Sequence, residues 1–237
     1  MQTAINWSAW LHHLRQEREE VWKQGQAAVD LSTEQGFPFF LSWGSVIRGW
    51  ALADQGHVAE GIQQVHQGLA GMRATGAELW RPYHLILLVE TCGKAGQIAE
   101  QISTLNEAVD IEEKTGIRLV EAELYRLKGE LTLQKLSVVS NQLSVTDPRP
   151  LTPDPQGEAE ACFLKAIEVA RKQQAKSLEL RAVMSLARLW QQQGKFHEAH
   201  KVLVDVYNWF TEGFDTKDLQ EAKGLLEELA REDGIET

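Results

Sequence analysis

The sequence predicts an all-α protein, a solenoid of stacked helical hairpins, and three observations carry that reading. Turn markers recur at a period of forty: Gly36, Gly76 and Gly116 close three Glx/Thr/Lys-containing stretches, and Gly56 and Gly96 close two more. Between the markers, apolar residues return every three or four positions, as in Val46, Ile47 and Trp50 or Ile62, Val65 and Leu69. No stretch alternates apolar and polar residues for long enough to make a confident strand.

The elements follow in order. A helix is expected over 8–34, with room for a break. Pairs then follow at 38–55 and 58–74, 78–95 and 98–114, 117–136 and 156–174, and 177–193 and 196–211. A last helix at 216–231 carries Leu219, Ala222, Leu225, Leu226 and Leu229 on one face and reads as a cap over the end of the stack. Asp215 or Thr216 is placed to cap its first turn. Gly194 falls 98 residues after Gly96, two periods plus 18. The excess lies in 138–155, where Leu-Ser-Val at 136–138 is repeated at 143–145 and Pro148, Pro150, Pro153 and Pro155 follow. No helix runs through such prolines, so these residues are expected to form an inserted, disordered loop in a single domain spanning 1–237.

Composition narrows the function. The 237 residues are 43% hydrophobic and 24% charged, as in folded proteins. A net charge of −10 repels phosphate backbones and anionic lipid surfaces, which argues against nucleic-acid and membrane partners. Two cysteines, Cys92 and Cys162, form no CxxC pair, and both fall on apolar stripes as buried thiols would. The first ten residues lack the features of a signal peptide, so the expected location is the cytoplasm. Gly71 and Gly76 have P-loop spacing, but Ala77-Glu78 follows where Lys and a hydroxyl are needed. His197 and His200 lie three apart on a helix near a turn, and a solvated surface explains them better than a metal. No cofactor, metal or catalytic residue is called for.

The small-and-large packing pattern brings a family into view. Gly194, Ala199, Leu203 and Val206, and likewise Ala159, Phe163 and Ala166, resemble the second helix of a tetratricopeptide repeat. Gly49, Gly129 and Ala187 stand at its small first-helix position. The resemblance implies a right-handed α-solenoid of TPR-like helical hairpins. The period is 40 rather than 34, Gly61 and Gln101 replace the usual Ala, and the repeat-ending Pro is missing; HEAT-type pairs are the nearest alternative. The strings at 76–83, 121–130, 177–181, 185–189 and 209–216 also resemble the C-terminal repeat region of bacterial adenylate or guanylate cyclase and signalling-ATPase fusion proteins. That likeness implies a sensory or assembly module without its effector.

In the tetratricopeptide geometry the first helix of each pair lines a concave groove. By position, Trp43, Trp50, Tyr83, Glu90, Lys94, Arg126, Glu130, Arg181 and Arg188 are expected to face it, with ion pairs between successive first helices as the plain structural explanation of the charges. Trp190 and Trp209 are expected in the core, Trp209 under the cap. The function expected is protein or peptide binding in bacterial signalling, with a small-molecule sensing domain for a separate effector as the alternative. The expected protein is not an enzyme, and self-association is open.

Overall fold

A computed structural model describes residues 1–142 and 154–234, with side chains at 138–142 left out. Among the described residues there are eleven α-helices: α1 (Gln2–Leu14), α2 (Arg18–Gln35), α3 (Pro38–Asp54), α4 (Val58–Ala74), α5 (Arg81–Lys94), α6 (Ile98–Thr115), α7 (Glu121–Gln142), α8 (Pro155–Lys172), α9 (Lys176–Gln192), α10 (Phe196–Tyr207) and α11 (Lys217–Asp233). The chain divides into two compact units, Met1–Val120 and Glu121–Thr237. The all-α repeat architecture is as the periodicity predicts. Of the expected loop, 143–153 lies outside the described residues, and α7 continues as helix beyond the expected end at 136.

In the first unit three hairpins stack. Helices pair along the chain, α1 with α2, α3 with α4 and α5 with α6, and the first helices also touch each other, α1 with α3 and α3 with α5. The second unit repeats the scheme: α7 pairs with α8 and α9 with α10, while α9 touches both α7 and α11. The cap is therefore the first helix of a further period. Leu219, Ala222, Leu225 and Leu229 are buried, and Leu226 is partly so.

The break for which 8–34 leaves room falls at residues 15–17, which turn the chain into a complete hairpin of α1 and α2. The sequence carries no turn marker here because Gln16 stands forty residues before Gly56, at the place where glycine marks the later turns. Gln16 adopts φ +57°, beside +98° at Gly56 and +67° at Gly96. A second glutamine completes the other series. Gly36, Gly76 and Gly116 end their hairpins at φ +68°, +73° and +70°, and Gln174 does the same at +55° after the 18-residue excess. A side chain in this left-handed region costs about 1 kcal/mol or more that glycine does not incur. Gln174→Gly is expected to raise stability by roughly 0.5–1 kcal/mol after the extra freedom of the unfolded chain is subtracted, read as a higher urea midpoint.

Close approach within the hairpins explains the small residues. A Cβ on Gly49 would lie 2.8 Å from the Gly61 carbonyl oxygen, and one on Gly129 would lie 2.5 Å from the Phe163 ring. Phe163 is fully buried between Ala159 and Ala166, as is Leu203 after Ala199. Gln101, unexpected in its place, reaches back to donate from Nε2 to the Val89 carbonyl at 3.1 Å. At α8, Asp154 caps the helix by accepting from the Gln156 N–H, with Pro155 in the first turn. Helix α11 begins after Thr216, whose hydroxyl bonds to the Gly213 carbonyl rather than to the helix.

Candidate functional site

The inner side of each unit is built from its first helices. In the first unit these helices carry a continuous set of rings. Trp7 of α1 meets Trp43 edge-on at 5.7 Å and Trp80 at 5.1 Å, Trp43 lies 5.7 Å from Trp80, and Trp10 lies 6.3 Å from Tyr83. One helical turn further on, the His13 ring stands 4.6 Å from Trp50 and 5.6 Å from Tyr83. Edge-to-face pairs of this kind each add about 0.5–1.5 kcal/mol beyond area burial.

The rings end in a polar knot. The Trp50 indole N–H donates to Glu90 Oε2 at 2.6 Å, and His13 Nε2 lies 3.4 Å from the same oxygen. The Tyr83 hydroxyl is 2.9 Å from His13 Nδ1. These partners fit one tautomer, with Nε2–H donating to the carboxylate and Nδ1 accepting from tyrosine. Beyond the knot, Asp54 takes Arg18 Nε at 2.6 Å and also pairs with Lys94.

This arrangement corrects part of the expected groove. Trp43, Trp50 and Tyr83 are only 3%, 6% and 4% exposed, because α1 packs over faces that the shorter helix count would have left open. They are core residues between first helices, so Trp50 cannot be removed without loss of packing. Glu90 is half-buried and bonded into that core, whereas Lys94 stays accessible.

In the second unit Arg126 is held by Glu123, with Nε at 3.0 Å and Nη2 at 2.5 Å, and it also bonds Glu130. Ser185 of α9 donates to Glu130 at 2.9 Å. Arg181 donates to Asp218 of α11 at 2.7 Å, and Arg188 sits 3.4 Å from Glu221. Burial pushes the Asp218 carboxyl up, and its bond from Arg181 does not fully offset that. Burial opposes the Arg181 charge, yet Glu123 and Asp218 together hold the guanidinium above its ordinary value. Arg126 and Arg181 are therefore largely structural. Glu130 and Arg188 keep about half of their side-chain surface in solvent, at 43% and 45%.

The remaining chemistry-bearing groups are quiet. Burial pushes the Cys92 thiol up to about 12, with Glu100 adding to it, and burial raises Cys162 as well. Both thiols are buried, as expected. His197 pairs with Asp233 at 3.0 Å. Trp190 is partly buried against the core and donates to Glu160. Trp209 departs from expectation. It is 58% exposed, because the turn after α10 sends Phe210 to the core and Trp209 outward.

His84 is fully buried, and burial holds its imidazole down at about 3, against a bond to the Trp80 carbonyl that favours the charged form. The neutral ring donates from Nδ1 to that carbonyl at 2.7 Å. The unfolded chain binds this proton near pH 6.5 and the folded chain only near pH 3. Stability of the first unit is therefore expected to fall with decreasing pH across that window, at up to about 1.4 kcal/mol per pH unit from this group. His84→Leu should flatten the decline in urea midpoint between pH 6 and pH 4.

No known protein-family profile matches the chain. An uncharacterized protein of Rhizobium meliloti (strain 1021) is 35% identical over 83 residues; the match spans 35% of this chain and only 8% of that protein. Two solved structures share the fold. One, from Podosopora anserina and described as having "kinesin light chain nearly identical TPR-like repeats", has a TM-score of 0.56 and 18% identity, covering 83% of this chain and 88% of its own. The other, a Rap protein complexed with Competence and Sporulation Factor, has a TM-score of 0.57 and 11% identity, covering 98% of this chain and 66% of its own. The chain is an all-α helical-repeat protein with TPR-like structural neighbours.

Proposed function

We propose that this chain is a protein-interaction module of bacterial signalling, working in the cytoplasm and taking a partner peptide or helix along its first helices. The observation that carries the proposal is the polar row of the second unit. Glu130 on α7, Arg188 on α9 and Glu221 on α11 lie on three successive first helices, each with about two-fifths of its side chain in solvent. Groups of alternating charge on three neighbouring first helices suit register-specific docking of an extended partner. Lys94 offers an accessible cation on the first unit. Of the expected groove, Arg126, through Glu130 and Ser185, and Arg181 hold the first helices of the second unit together, and Trp43, Trp50, Tyr83 and Glu90 do the same within the first unit.

The Rap structure, in complex with Competence and Sporulation Factor, lends the reading a precedent at the level of fold. The resemblance to cyclase- and ATPase-linked repeat regions supports the signalling context. No helix among the described residues is long and apolar enough to cross a membrane.

Combined reversal of two charges tests the surface. Glu130→Lys with Arg188→Glu should weaken capture of the partner by about tenfold, while the melting temperature moves by no more than about 2 °C. Photo-crosslinkers at 130 and 188 should mark the same partner, whereas one at Lys201 on α10 should not. An unchanged affinity in the double variant would remove the first-helix surface as the docking site.

A further inference from the structure

The end of α8, the start of α9 and the turn after α10 surround a cleft of about 550 Å³, lined by Arg171, Gln174, Lys176 and Trp209. That volume lies within the range of ligand sites, about 300–1,000 Å³. Lys176 and the exposed polar row lie apart: Arg188 is twelve residues along α9, about 18 Å at the rise of a helix.

The cleft is built to present donors. Glu179, with 3% of its side chain exposed, accepts from Arg171 Nε at 2.7 Å and from Lys176 Nζ at 2.6 Å. One oxygen fixes each cation. Both terminal amino groups of Arg171, the Gln174 amide and the Trp209 indole N–H carry no hydrogen bond among the described residues. Arg171 remains 56% exposed. The Lys176 ammonium lies 5.7 Å from the Trp209 ring centroid, a cation–π distance, and Phe210 meets the same ring edge-on at 5.2 Å, so the exposed indole is held in place.

The backbone supplies a second observation. Where Gly36, Gly76 and Gly116 end earlier hairpins, Gln174 holds the same left-handed conformation with a side chain attached. The chain accepts that strain at the residue that puts an amide on the cleft wall. Gln16 makes the same substitution in the other turn series, so the strain at Gln174 adds to the case only together with the unbonded donors that surround it.

We propose that this cleft docks an acidic peptide segment of a partner protein, one with an aromatic or apolar side chain next to its carboxylate. The carboxylate takes the free fork of Arg171 and the remaining protons of Lys176, since guanidinium presents paired donors that match two oxygens. The neighbouring side chain lies on Trp209, and the Gln174 amide bonds the peptide backbone. Tryptophan and arginine at the centre of a pocket are the residues that dominate interface energy. This surface is separate from the first-helix row and does not depend on it.

Peptide-phage display against the full chain tests the proposal, followed by calorimetric titration of the enriched synthetic peptide. The expected consensus pairs Asp or Glu with an aromatic or apolar residue. Trp209→Ala and Arg171→Ala should each weaken that peptide by about tenfold or more, as should replacing its carboxylates by amides. Gln174→Gly should raise the melting temperature and lower peptide affinity about threefold, a combination that a purely structural residue does not give. Glu130→Lys with Arg188→Glu should leave this peptide's affinity unchanged, which separates the cleft from the first-helix surface. A consensus without acids, no consensus, or full affinity in both Trp209→Ala and Arg171→Ala would overturn the assignment.

Discussion

Gly61→Leu should separate α3 from α4 and cost about 3 kcal/mol or more, enough to unfold much of the first unit under mild denaturant. A Cβ at residue 61 would lie 2.5 Å from the Gly49 carbonyl oxygen and 2.8 Å from both the Cβ and the amide nitrogen of Ala53. Two of those three atoms are backbone, so no rotamer change relieves the clash. The helices must move apart, and the burial of Val65 and Ile47 around the crossing goes with them. Gly224 is the internal comparison. It also lies inside a helix, α11, but nothing stands within 4 Å of its would-be Cβ. Gly224→Ala should therefore stabilise by up to about 1 kcal/mol, the ordinary gain in helix propensity. Urea titration of both variants, followed by far-UV circular dichroism, should show midpoints moving in opposite directions. Equal and small shifts would mean that the α3–α4 crossing is looser than the Gly49–Gly61 contact requires.

Trp50→Ala should destabilise the first unit by about 3–5 kcal/mol, in the range for large aromatic truncations in cores. The indole is 6% exposed, stands edge-on to His13 and donates to Glu90. Its removal leaves a cavity beside a half-buried carboxylate that loses its bond from the indole. Trp50→Phe should recover most of the packing term but not the hydrogen bond, leaving a residual loss of about 1.5–3 kcal/mol because the acceptor is charged. Guanidinium unfolding of the two variants separates the contributions. A loss below about 1 kcal/mol for Trp50→Ala would place the ring on an open groove after all.

Much of the fold is legible in the sequence because it rests on local, repeated signals. The glycines at 36, 76 and 116 and at 56 and 96 take the left-handed turns that the forty-residue period implies, and Ala159, Phe163 and Ala166 pack as the small-and-large pattern requires. The first hairpin was not legible, since its turn is made by Gln16, whose type gives no turn signal. That one substitution also hides the burial of the aromatic residues: without a turn at Gln16 the sequence shows no separate α1 to cover Trp43, Trp50 and Tyr83. The exposure of Glu130, Lys94 and Arg188 agrees with their positions on the first helices. Trp209 was misplaced for a different reason. An aromatic in a short turn can point either way, and only the packing of its neighbour Phe210 decides which.

The bonds between first helices reach one period along the chain: Trp50 to Glu90 and Asp54 to Lys94 are each separated by forty residues. Within the first unit this makes sequence change a matter between neighbours. A substitution at position 54 sets which residue is tolerated at 94 more strongly than it sets anything within its own helix. Drift here would proceed in matched steps, each hairpin constrained by the one beside it. Exchanging Asp54 and Lys94 together would restore their own pair but forfeit the bond from Arg18, so the constraint runs through three helices and not two.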